Sequence, residues 1–480
     1  MLVTALIVLP VAGALLVAIL PLPRETTAGF SFFVALMEVG LWIVAAARYD
    51  FDAGGLQLGT TREWVDSLGI SYSVGLLGFS VWLTGATVIV FAAAIGYALW
   101  LGRDRPRAYH ALMLFLLAAV VATFVAQDLL LFYVSFEAML IPLYVLIGVW
   151  GGERRQAATL TFVVYTMAGS LLMLASVVAF GVTQGTFSLT ESGTSDNVWI
   201  FLGFAIAFAV KAPLFPLHGW LPLAYREAPV EVAAVLSAVV SKTAIYGFLR
   251  IGLPKFPDPA DDLSGLILVL ASAGLVYGSI LAFRAPDLRG VVAYSSMAQM
   301  GLITLGVFAF DDLGLDGAVL QSVAHALISA GMFLLVGMVE RRCGTGMLDA
   351  LGGMARGRPA LATVVLVAGM IVLAVPGSAT FAAEFLIMAG VYAQGWGYSV
   401  VVALGVVLAA MYTLRVISAI LHVRPGAAVR DEALDLRAGE LALVLPLLLV
   451  LLGLSVWPAL VSESSFAGDH AEQAIARGYR

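Results

Sequence analysis

Two lysines lie inside long apolar stretches of a chain that otherwise almost lacks lysine. The 480 residues contain three lysines, of which Lys255 falls in the loop sequence IGLPKFPDPADD, whereas Lys211 and Lys242 have hydrophobic sequence on both sides. A charged lysine at the centre of a membrane-spanning helix costs about 2.5 to 3.5 kcal/mol on insertion scales. Two lysines at such positions indicate a function that requires a group able to gain and lose a proton, such as proton transfer.

Acidic and imidazole side chains occur in similar apolar surroundings. Glu137 lies in FYVSFEAMLIPLY, His325 in SVAHALISAG and Glu384 in VPGSATFAAEF. Because a nearby carboxylate stabilises a buried ammonium group, a change in the separation of Glu137 and Lys211 would load or unload a proton. Moving one proton across the membrane against 100 mV costs about 2.3 kcal/mol, so modest changes in such interactions are sufficient. We expect these groups and the two lysines to form a polar axis.

Other polar residues in the apolar stretches have less definite roles. His218, beside a proline and a glycine, either relays protons or caps an interrupted helix. Asp128 precedes an apolar run, which is typical of a helix N-cap. Glu38 either hydrogen-bonds a neighbouring helix, faces a partner subunit or conducts, and we leave it out of the axis. Arg415 either snorkels towards the interface or pairs with a partner.

The overall composition is that of a polytopic membrane protein. Hydrophobic residues make up 61% of the chain and charged residues 12%, and the mean hydropathy is +1.01. There is no basic footprint for nucleic acid. The one cysteine, Cys343, cannot form an internal disulfide or supply the thiolates of an iron–sulfur cluster. Without a glycine-rich dinucleotide motif either, any redox chemistry is expected on another chain.

Apolar runs of about 20 residues predict about fourteen spans in an all-α fold. The first is expected to be retained, because it lacks the basic start and cleavage site of a signal peptide. The predicted spans are 2–22, 28–47, 72–101, 108–126, 128–150, 157–183, 198–222, 231–251, 262–284, 290–310, 318–340, 359–394, 397–421 and 438–461.

The cations are distributed unequally between the two sides that this span pattern implies. One set of loops carries sixteen arginines, among them Arg103, Arg226, Arg289, Arg341 and Arg430, and the opposite side carries six cations, including Arg477 and Arg480. The positive-inside rule places the arginine-rich loops in the cytoplasm. With an even number of spans, both termini are then expected on the non-cytoplasmic side.

Prolines interrupt two of the predicted spans. The seventh reads WIFLGFAIAFAVKAPLFPLHGWLP and the twelfth contains AVPGSATFAAEF. Proline removes a backbone donor and clashes with the preceding turn. Each interrupted span is the fourth of a five-span unit, and an odd number of spans inverts the second unit, so the pattern predicts inverted repeats with an ion site near the midplane. The expected divisions are N-terminal helices 1–107, a first repeat 108–251, a second repeat 252–421, and a C-terminal helix and tail 422–480.

Several strings resemble the antiporter-like membrane subunits of respiratory complex I, the NADH:quinone oxidoreductase. They are FEAMLIPLY, VKAPLFPLHGWLPLAYREAP, SKTAIYGFLR, AYSSMAQMGL, AHALISAGMFLLVGM and VPGSATFAAEF, and they occur in the family's order over most of the chain. SLGISYSVGLLGFS, the loop VERRCGTGMLDALGGMARGRP and the closing LVLPLLLVLLGLSVWPALV resemble the subunit M branch. A chain that ends shortly after its last span also differs from subunit L, for which a long lateral helix is expected.

The resemblance implies a fold of fourteen helices with two inverted five-helix repeats, and proton translocation coupled to quinone reduction elsewhere in the complex. By matching, Glu137 and Lys211 would be the input pair, Lys242 and His325 the central relay, and Glu384 the exit group. Gln299 stands where the family often has histidine, and because glutamine does not titrate near neutral pH we expect it to hold a water. No cofactor is expected on this chain; flavin, iron–sulfur clusters and quinone would belong to other subunits.

The resemblance also implies location and partners, and alternatives remain. The chain would lie in the bacterial inner membrane beside other membrane subunits of the complex, especially neighbouring antiporter-like subunits. REAPVEVAAVLSAVVSK also resembles the cation/proton antiporter subunits of Mrp complexes and membrane-bound hydrogenases. The competing hypotheses are therefore a proton-pumping respiratory subunit, an antiporter subunit without redox chemistry, and a structural scaffold with a dead channel. The retained ionisable residues argue against the scaffold.

Overall fold

The structure is a computed structural model that describes residues 1–65, 69–422, 424–429 and 434–467. Most of the C-terminal tail and three of the counted cations, Arg430, Arg477 and Arg480, lie outside these ranges. The described chain is predominantly helical, as the composition predicts.

Helices long and apolar enough to cross a membrane number twelve in the described ranges. They are α1 (Leu2–Ile19), α2 (Arg24–Arg48), α3 (Gly78–Leu101), α4 (Pro106–Val125), α5 (Leu129–Trp150), α6 (Arg155–Gln184), α9 (Val230–Lys255), α11 (Ser264–Arg284), α12 (Leu288–Val307), α13 (Asp312–Cys343), α16 (Trp396–His422) and α17 (Ala438–Val456). Short helices α10 (Pro257–Asp262) and α18 (Ala459–Ser465) complete the loop and the C-terminal end. The chain is a multi-pass membrane protein.

Both proline-interrupted spans are broken helices, as predicted. The seventh consists of α7 (Val198–Lys211) and α8 (Leu221–Glu227), and the twelfth of α14 (Pro359–Val372) and α15 (Ala379–Gln394). Pro376 and Gly377 lie in the second break, where Gly377 has φ +94°, a conformation that favours glycine. If each broken pair crosses once, the total is the predicted fourteen, but that count and the inverted repeats stay predictions.

Helix α9 is continuous but irregular. It contains two π-helical turns, Leu236–Val240 and Phe248–Gly252, and Lys242 begins the α-helical segment between them. Such wide turns are uncommon and often occur at functional sites. Together with α12 and α13, α9 is almost wholly enclosed by protein, whereas α1, α2 and α6 expose apolar faces. Lys242 and His325 of the predicted axis therefore sit on the most buried helices.

A β-hairpin precedes α3, where sequence reasoning predicted helix from residue 72. Strand β1 (Gln57–Val65) pairs antiparallel with β2 (Ile70–Leu76), with Thr61 opposite Ser73. The alternation of polar and apolar residues in ISYSVGL is the period of a strand, and it was hidden by the hydrophobicity of the following helix. The hairpin holds the start of α5, because Ser71 N–H donates to Asp128 (3.1 Å) and Gln127 N–H to the Ser73 carbonyl (2.8 Å).

Two polar residues with uncertain roles are helix caps. The carboxylate of Asp128 accepts from the amides of Leu130 (2.9 Å) and Leu131 (3.1 Å), which confirms it as the N-cap of α5. The guanidinium of Arg415, on α16, donates to the carbonyls of Phe283 and Ala285 at the C-terminal end of α11. Those carbonyls have no further helical amide to accept from, so Arg415 satisfies them. Its role in this structure is intramolecular.

Four arginines of the arginine-rich loops form ion pairs. Within the described ranges these pairs are Arg103–Glu231 (2.6 Å), Arg226–Asp287 (2.8 Å), Arg289–Glu340 (2.8 Å) and Arg342–Glu440 (2.7 Å). An open cavity of about 1430 Å³, here called the arginine vestibule, is lined by Arg103, Arg154, Arg226, Arg289 and Arg341 together with Glu227 and Glu340. The predicted grouping of these arginines on one face is therefore reproduced.

Candidate functional site

Lys242 and His325 are in direct contact in the interior of the molecule. The Nζ atom of Lys242 on α9 lies 2.5 Å from Nδ1 of His325 on α13, and both side chains are buried. Nζ also donates to the Ser237 carbonyl at 2.8 Å and reaches the Ser241 hydroxyl at 3.4 Å. Two titratable groups at hydrogen-bond distance can exchange a proton directly. The structure thus brings together the two residues that the resemblance implied as a central relay.

Three serines from three helices meet next to this pair. The hydroxyl of Ser237 on α9 donates to Ser296 on α12 (2.9 Å) and lies 2.6 Å from the hydroxyl of Ser329 on α13. All three are buried. Sequence reasoning missed this cluster, because single serines in apolar helices usually bond to the carbonyl four residues earlier and carry no distinctive spacing.

Glu384 is joined to the central helices through two amides. Gln321 on α13 donates to Oε1 of Gln299 on α12 (2.6 Å), and Gln299 donates to Oε1 of Glu384 on α15 (3.3 Å). The second carboxylate oxygen, Oε2, has no hydrogen-bond partner, and neither has Oε1 of Gln321. Gln299 therefore contacts the predicted exit residue directly. Gln321 was not singled out, since an isolated glutamine resembles any buried polar residue.

One cavity connects the central pair with Glu384. This central cavity is lined by polar side chains of His325, Gln299, Gln321, Ser329 and Glu384 among apolar residues. The hydroxyls of Tyr412 and Thr413 also line it and have no partner. A buried water molecule needs two to four polar partners. The unsatisfied oxygens that line this cavity suit a short chain of waters between His325 and Glu384.

The expected pairing of Glu137 with Lys211 takes a different form. Lys211 Nζ donates to the carbonyl of Phe136 (3.3 Å) and lies 4.2 Å from the centre of the Phe136 ring. Glu137, the next residue, is only half-buried and interacts with Lys211 electrostatically, but none of the ion pairs of the described residues includes either side chain. A carbonyl and an aromatic face partly replace the carboxylate as the ammonium's neighbours.

Trp220 stabilises the helix break beside Lys211. Its indole N–H donates to the Val210 carbonyl (2.9 Å), and the amide of Leu214 donates to the Ala209 carbonyl (2.9 Å). These carbonyls face the end of α7, where the prolines prevent a regular helix from supplying donors. Trp220 is 1% exposed, so its indole satisfies the Val210 carbonyl away from solvent. The sequence marked the break but not the residue that satisfies it.

His218 lies in the same break but contacts none of the other predicted site residues. Its ring stacks on Phe215 (5.8 Å between centroids) and meets the edge of Tyr277 (5.5 Å). Nδ1 is buried without a partner, so the side chain does not cap the helix. It also lies outside the set of residues that line the central cavity. Of the two roles considered, capping by the ring is wrong, and a relay role stays a prediction.

Aromatic rings pack between Lys211 and Lys242. Phe208, one turn before Lys211, packs against Phe136 (6.2 Å) and Phe248 (5.2 Å). Phe132 stacks on Tyr246, one turn after Lys242 (6.1 Å). The hydrogen bonds of the described side chains leave Lys211 and Lys242 in separate groups. Transfer between them would therefore require water or a rearrangement of this apolar region.

Glu38 is buried but remote from these groups in the hydrogen-bond network. It is 0% exposed on α2, and neither carboxylate oxygen has a partner. It lines neither the central cavity nor the arginine vestibule. The structure gives it no function.

Comparison with known sequences assigns the family. The sequence profile described as NADH:quinone oxidoreductase/Mrp antiporter, transmembrane, matches residues 126–411, a segment that includes Glu137, Lys211, Lys242, His325 and Glu384. The chain belongs to this family. The matched segment begins at the loop before α5 and ends within α16, so it contains both broken helices.

Full-length relatives carry names of one enzyme class. NADH-quinone oxidoreductase subunit M of Rhodobacter capsulatus is 34% identical over 442 residues, which cover 88% of this chain and 85% of the relative. NAD(P)H-quinone oxidoreductase chain 4 1 of a Nostoc species is 32% identical over 495 residues, covering 98% of this chain and 92% of the relative. The chain is therefore related along nearly its whole length to membrane subunits of quinone oxidoreductases.

Solved structures show the same fold. A chain of respiratory complex I from Thermus thermophilus superposes with a TM-score of 0.90 at 30% identity, and the match covers 100% of this chain and 99% of that one. A chain of the Mrp complex from a Dietzia species gives a TM-score of 0.86 at 22% identity, covering 99% of this chain and 52% of that one. The second likeness concerns the fold alone.

Proposed function

We propose that this chain is the proton-translocating membrane subunit, of the subunit M type, of an NADH- or NAD(P)H-quinone oxidoreductase. The observation that carries the proposal is the buried contact of Lys242 with His325, which opens onto the same cavity as Glu384. Buried ionisable groups inside a membrane are expensive and are usually kept for transport or proton transfer. The family and its full-length relatives supply the enzyme class.

The proposed path has an input, a central and an exit part. Glu137 and Lys211 receive a proton, Lys242 and His325 hold it at the centre, and Glu384 releases it. The central and exit parts are supported by the hydrogen bond between Lys242 and His325, and by the amides and cavity that lead to Glu384. Input through Lys211 requires the aromatic region around Phe208 to open or to admit water, because direct contacts do not cross it.

Energy for transport would come from outside the chain. Flavin, iron–sulfur clusters and quinone belong to other subunits in this proposal, and this chain contributes no redox centre. Its partners are other membrane subunits, above all neighbouring antiporter-like subunits. We place it in the bacterial inner membrane with the arginine vestibule facing the cytoplasm and both termini on the opposite side.

The alternative is a subunit of an Mrp-type or hydrogenase-linked cation/proton antiporter, which the family description and the Mrp fold likeness keep open. Purification of the chain from its native membrane in mild detergent, followed by mass spectrometry of its companions, separates the two. Flavin and iron–sulfur subunits are expected. Recovery of small membrane subunits alone would favour the antiporter and contradict the proposal.

Transport itself is tested with Lys211→Ala. Inverted native membrane vesicles are given NADH, and acidification is measured together with NADH oxidation. We expect an assembled complex whose proton pumping per NADH is strongly reduced, because the neutral methyl group cannot carry a proton through the break. Normal pumping by the assembled variant would remove Lys211 from the path.

A further inference from the structure

The serine cluster of Ser237, Ser296 and Ser329 has a geometry that helix packing alone does not require. A buried serine in an apolar helix can satisfy its hydroxyl on its own helix, as Ser322 does by donating to the Ala318 carbonyl (2.7 Å). The three clustered hydroxyls instead bond to one another across α9, α12 and α13. Because a hydroxyl both donates and accepts, such a cluster can pass a proton along its length.

One end of the serine cluster meets the central pair. The π-helical turn Leu236–Val240 holds Ser237, and the carbonyl of that residue accepts from both Lys242 Nζ (2.8 Å) and the Ser241 hydroxyl (2.9 Å). Ser329, at the other side of the Ser237 hydroxyl, lines the central cavity beside His325. The cluster therefore touches the immediate surroundings of both members of the pair.

The other end points towards the arginine vestibule through Tyr225. The hydroxyl of Tyr225 lies near those of Ser237 and Ser296, yet it is buried without a hydrogen-bond partner of its own. Tyr225 lies in the last turn of α8 next to Arg226 and Glu227, which both line the vestibule. Val230, at the start of α9, lines it as well. The Tyr225 hydroxyl thus extends the serine cluster from a residue whose chain neighbours line the vestibule, and a buried hydroxyl without a partner is a place where water completes a connection.

We propose that Tyr225 and the serine cluster form a proton-uptake relay from the arginine vestibule to Lys242, separate from the input through Glu137 and Lys211. This inference rests on the proposed proton-translocating function. Each hydroxyl accepts a proton from the vestibule side and releases the proton it held towards Lys242, so every O–H bond that forms replaces one that breaks. Water in the central cavity carries the last proton from Ser329 to one ring nitrogen of His325, and the ring releases the proton on the other nitrogen, Nδ1, to the neutral amine of Lys242, which becomes an ammonium group.

The relay is tested in the assembled complex in inverted native membrane vesicles. Ser237→Ala, Ser329→Ala and Tyr225→Phe each remove one hydroxyl, and Ser322→Ala is the matched control on the same helix as Ser329. Pumping and NADH oxidation are measured as the pH on the vestibule side is raised, and assembly is checked on native gels. We expect each relay variant to pump about tenfold more slowly than Ser322→Ala, a barrier increase of about 1.4 kcal/mol.

The pH dependence separates a relay from packing. A missing relay hydroxyl should lower pumping most at high pH, where protons are scarce, whereas a packing defect should lower it equally at every pH. Ser329→Thr, which retains a hydroxyl, should recover pumping, and it tests the same step if an alanine variant fails to assemble. Relay variants that pump like Ser322→Ala, or a loss that does not vary with pH, would overturn the inference.

The variant Lys242→Ala distinguishes failure of the uptake relay from failure of the proposed proton-translocating function. If Lys242→Ala abolishes pumping while the hydroxyl variants pump normally, only the uptake relay is wrong. If Lys242→Ala also pumps normally, the proton-translocating function itself fails.

Discussion

Lys242 Nζ and His325 Nδ1 lie 2.5 Å apart in the most enclosed part of the molecule. Two positive charges at that separation would repel by about 7 kcal/mol at an effective dielectric constant of 20. The pair therefore holds one positive charge more readily than two, and arrival of a second proton favours departure of the first. Such coupled groups titrate as a unit, which suits a relay that must not accumulate charge.

Lys242→Arg should block transport although it preserves the charge. A guanidinium group does not lose its proton in proteins, so position 242 would carry a permanent charge beside His325. We expect proton pumping per NADH to fall by about tenfold or more, corresponding to at least about 1.4 kcal/mol. The measurement is acidification of inverted native vesicles with NADH oxidation recorded in parallel.

Lys255→Arg is the control for that substitution. Lys255 is also buried at the end of α9, but its ammonium donates to the Ser192 carbonyl (2.7 Å) and touches none of the central residues. An arginine can keep this interaction, so pumping should remain near normal. Equal pumping by the two arginine variants would show that deprotonation of Lys242 is unnecessary.

Gln299→Leu should uncouple Glu384 from the central helices. The substitution removes the donor to Glu384 Oε1 and the acceptor of Gln321, leaving both buried groups with fewer partners. We expect slower pumping, with partial recovery in Gln299→His, whose ring can donate again. Thr304→Val is the control on the same helix, because that hydroxyl bonds only to the Met300 carbonyl. If the leucine and valine variants pump equally well, the amide link has no part in transport.

Sequence reasoning identified the groups that are costly in lipid, and the structure explains where it stopped. Lys242, His325 and Glu384 stand out because charge in an apolar run is rare, and two of them are in contact. Ser237 and Gln321 do not stand out, because neutral polar residues are tolerated in buried helices and only their neighbours on other helices give them meaning.

Distances between side chains on different helices could not be predicted from the sequence either. Charge type predicted an attraction between Glu137 and Lys211, but the distance between side chains depends on how α5 and α7 pack, and Phe136 takes the nearer position. The helix breaks were predictable because proline acts locally. The hairpin was missed because a hydropathy window of about 20 residues merges a strand of seven residues with the helix that follows.

Trp220→Phe should destabilise the first broken helix. Phenylalanine fills most of the same space but leaves the buried Val210 carbonyl without its donor, which typically costs about 1 to 3 kcal/mol. We expect a lower midpoint of thermal unfolding for the purified complex in detergent. Trp199→Phe, on the same helix pair but 78% exposed, should leave the midpoint unchanged. Identical midpoints for the two variants would refute a stabilising role for the Trp220 indole.

Asp435→Asn should weaken the start of α14. The Asp435 carboxylate accepts from the amides of Ala360 (2.9 Å) and Leu361 (2.8 Å). Burial raises the pKa of this carboxyl, but backbone hydrogen bonds outweigh that effect and hold the pKa below its ordinary value of 3.8. A depressed pKa contributes stability above 3.8 that is lost as the pH falls through the folded-state value.

The pH dependence supplies the check on Asp435. At neutral pH the asparagine variant should unfold at a lower temperature than the wild type, and the difference should shrink below pH 3.8 as the native carboxylate becomes protonated. Thermal scans of both proteins in detergent across that range measure it. A difference that grows on acidification would contradict the assigned cap.

The π-helical turn Leu236–Val240 also makes the length of α9 a functional quantity. A π-helical turn accommodates one residue more than a regular turn, and each residue of an α-helix advances the chain by about 100°. Deleting one residue within the turn would leave a regular helix that is still hydrophobic. The part of α9 after the deletion would be rotated relative to the part before it, so Lys242 would no longer face His325. A substitution in this turn leaves Lys242 facing His325, whereas an insertion or a deletion decides whether the two side chains meet at all.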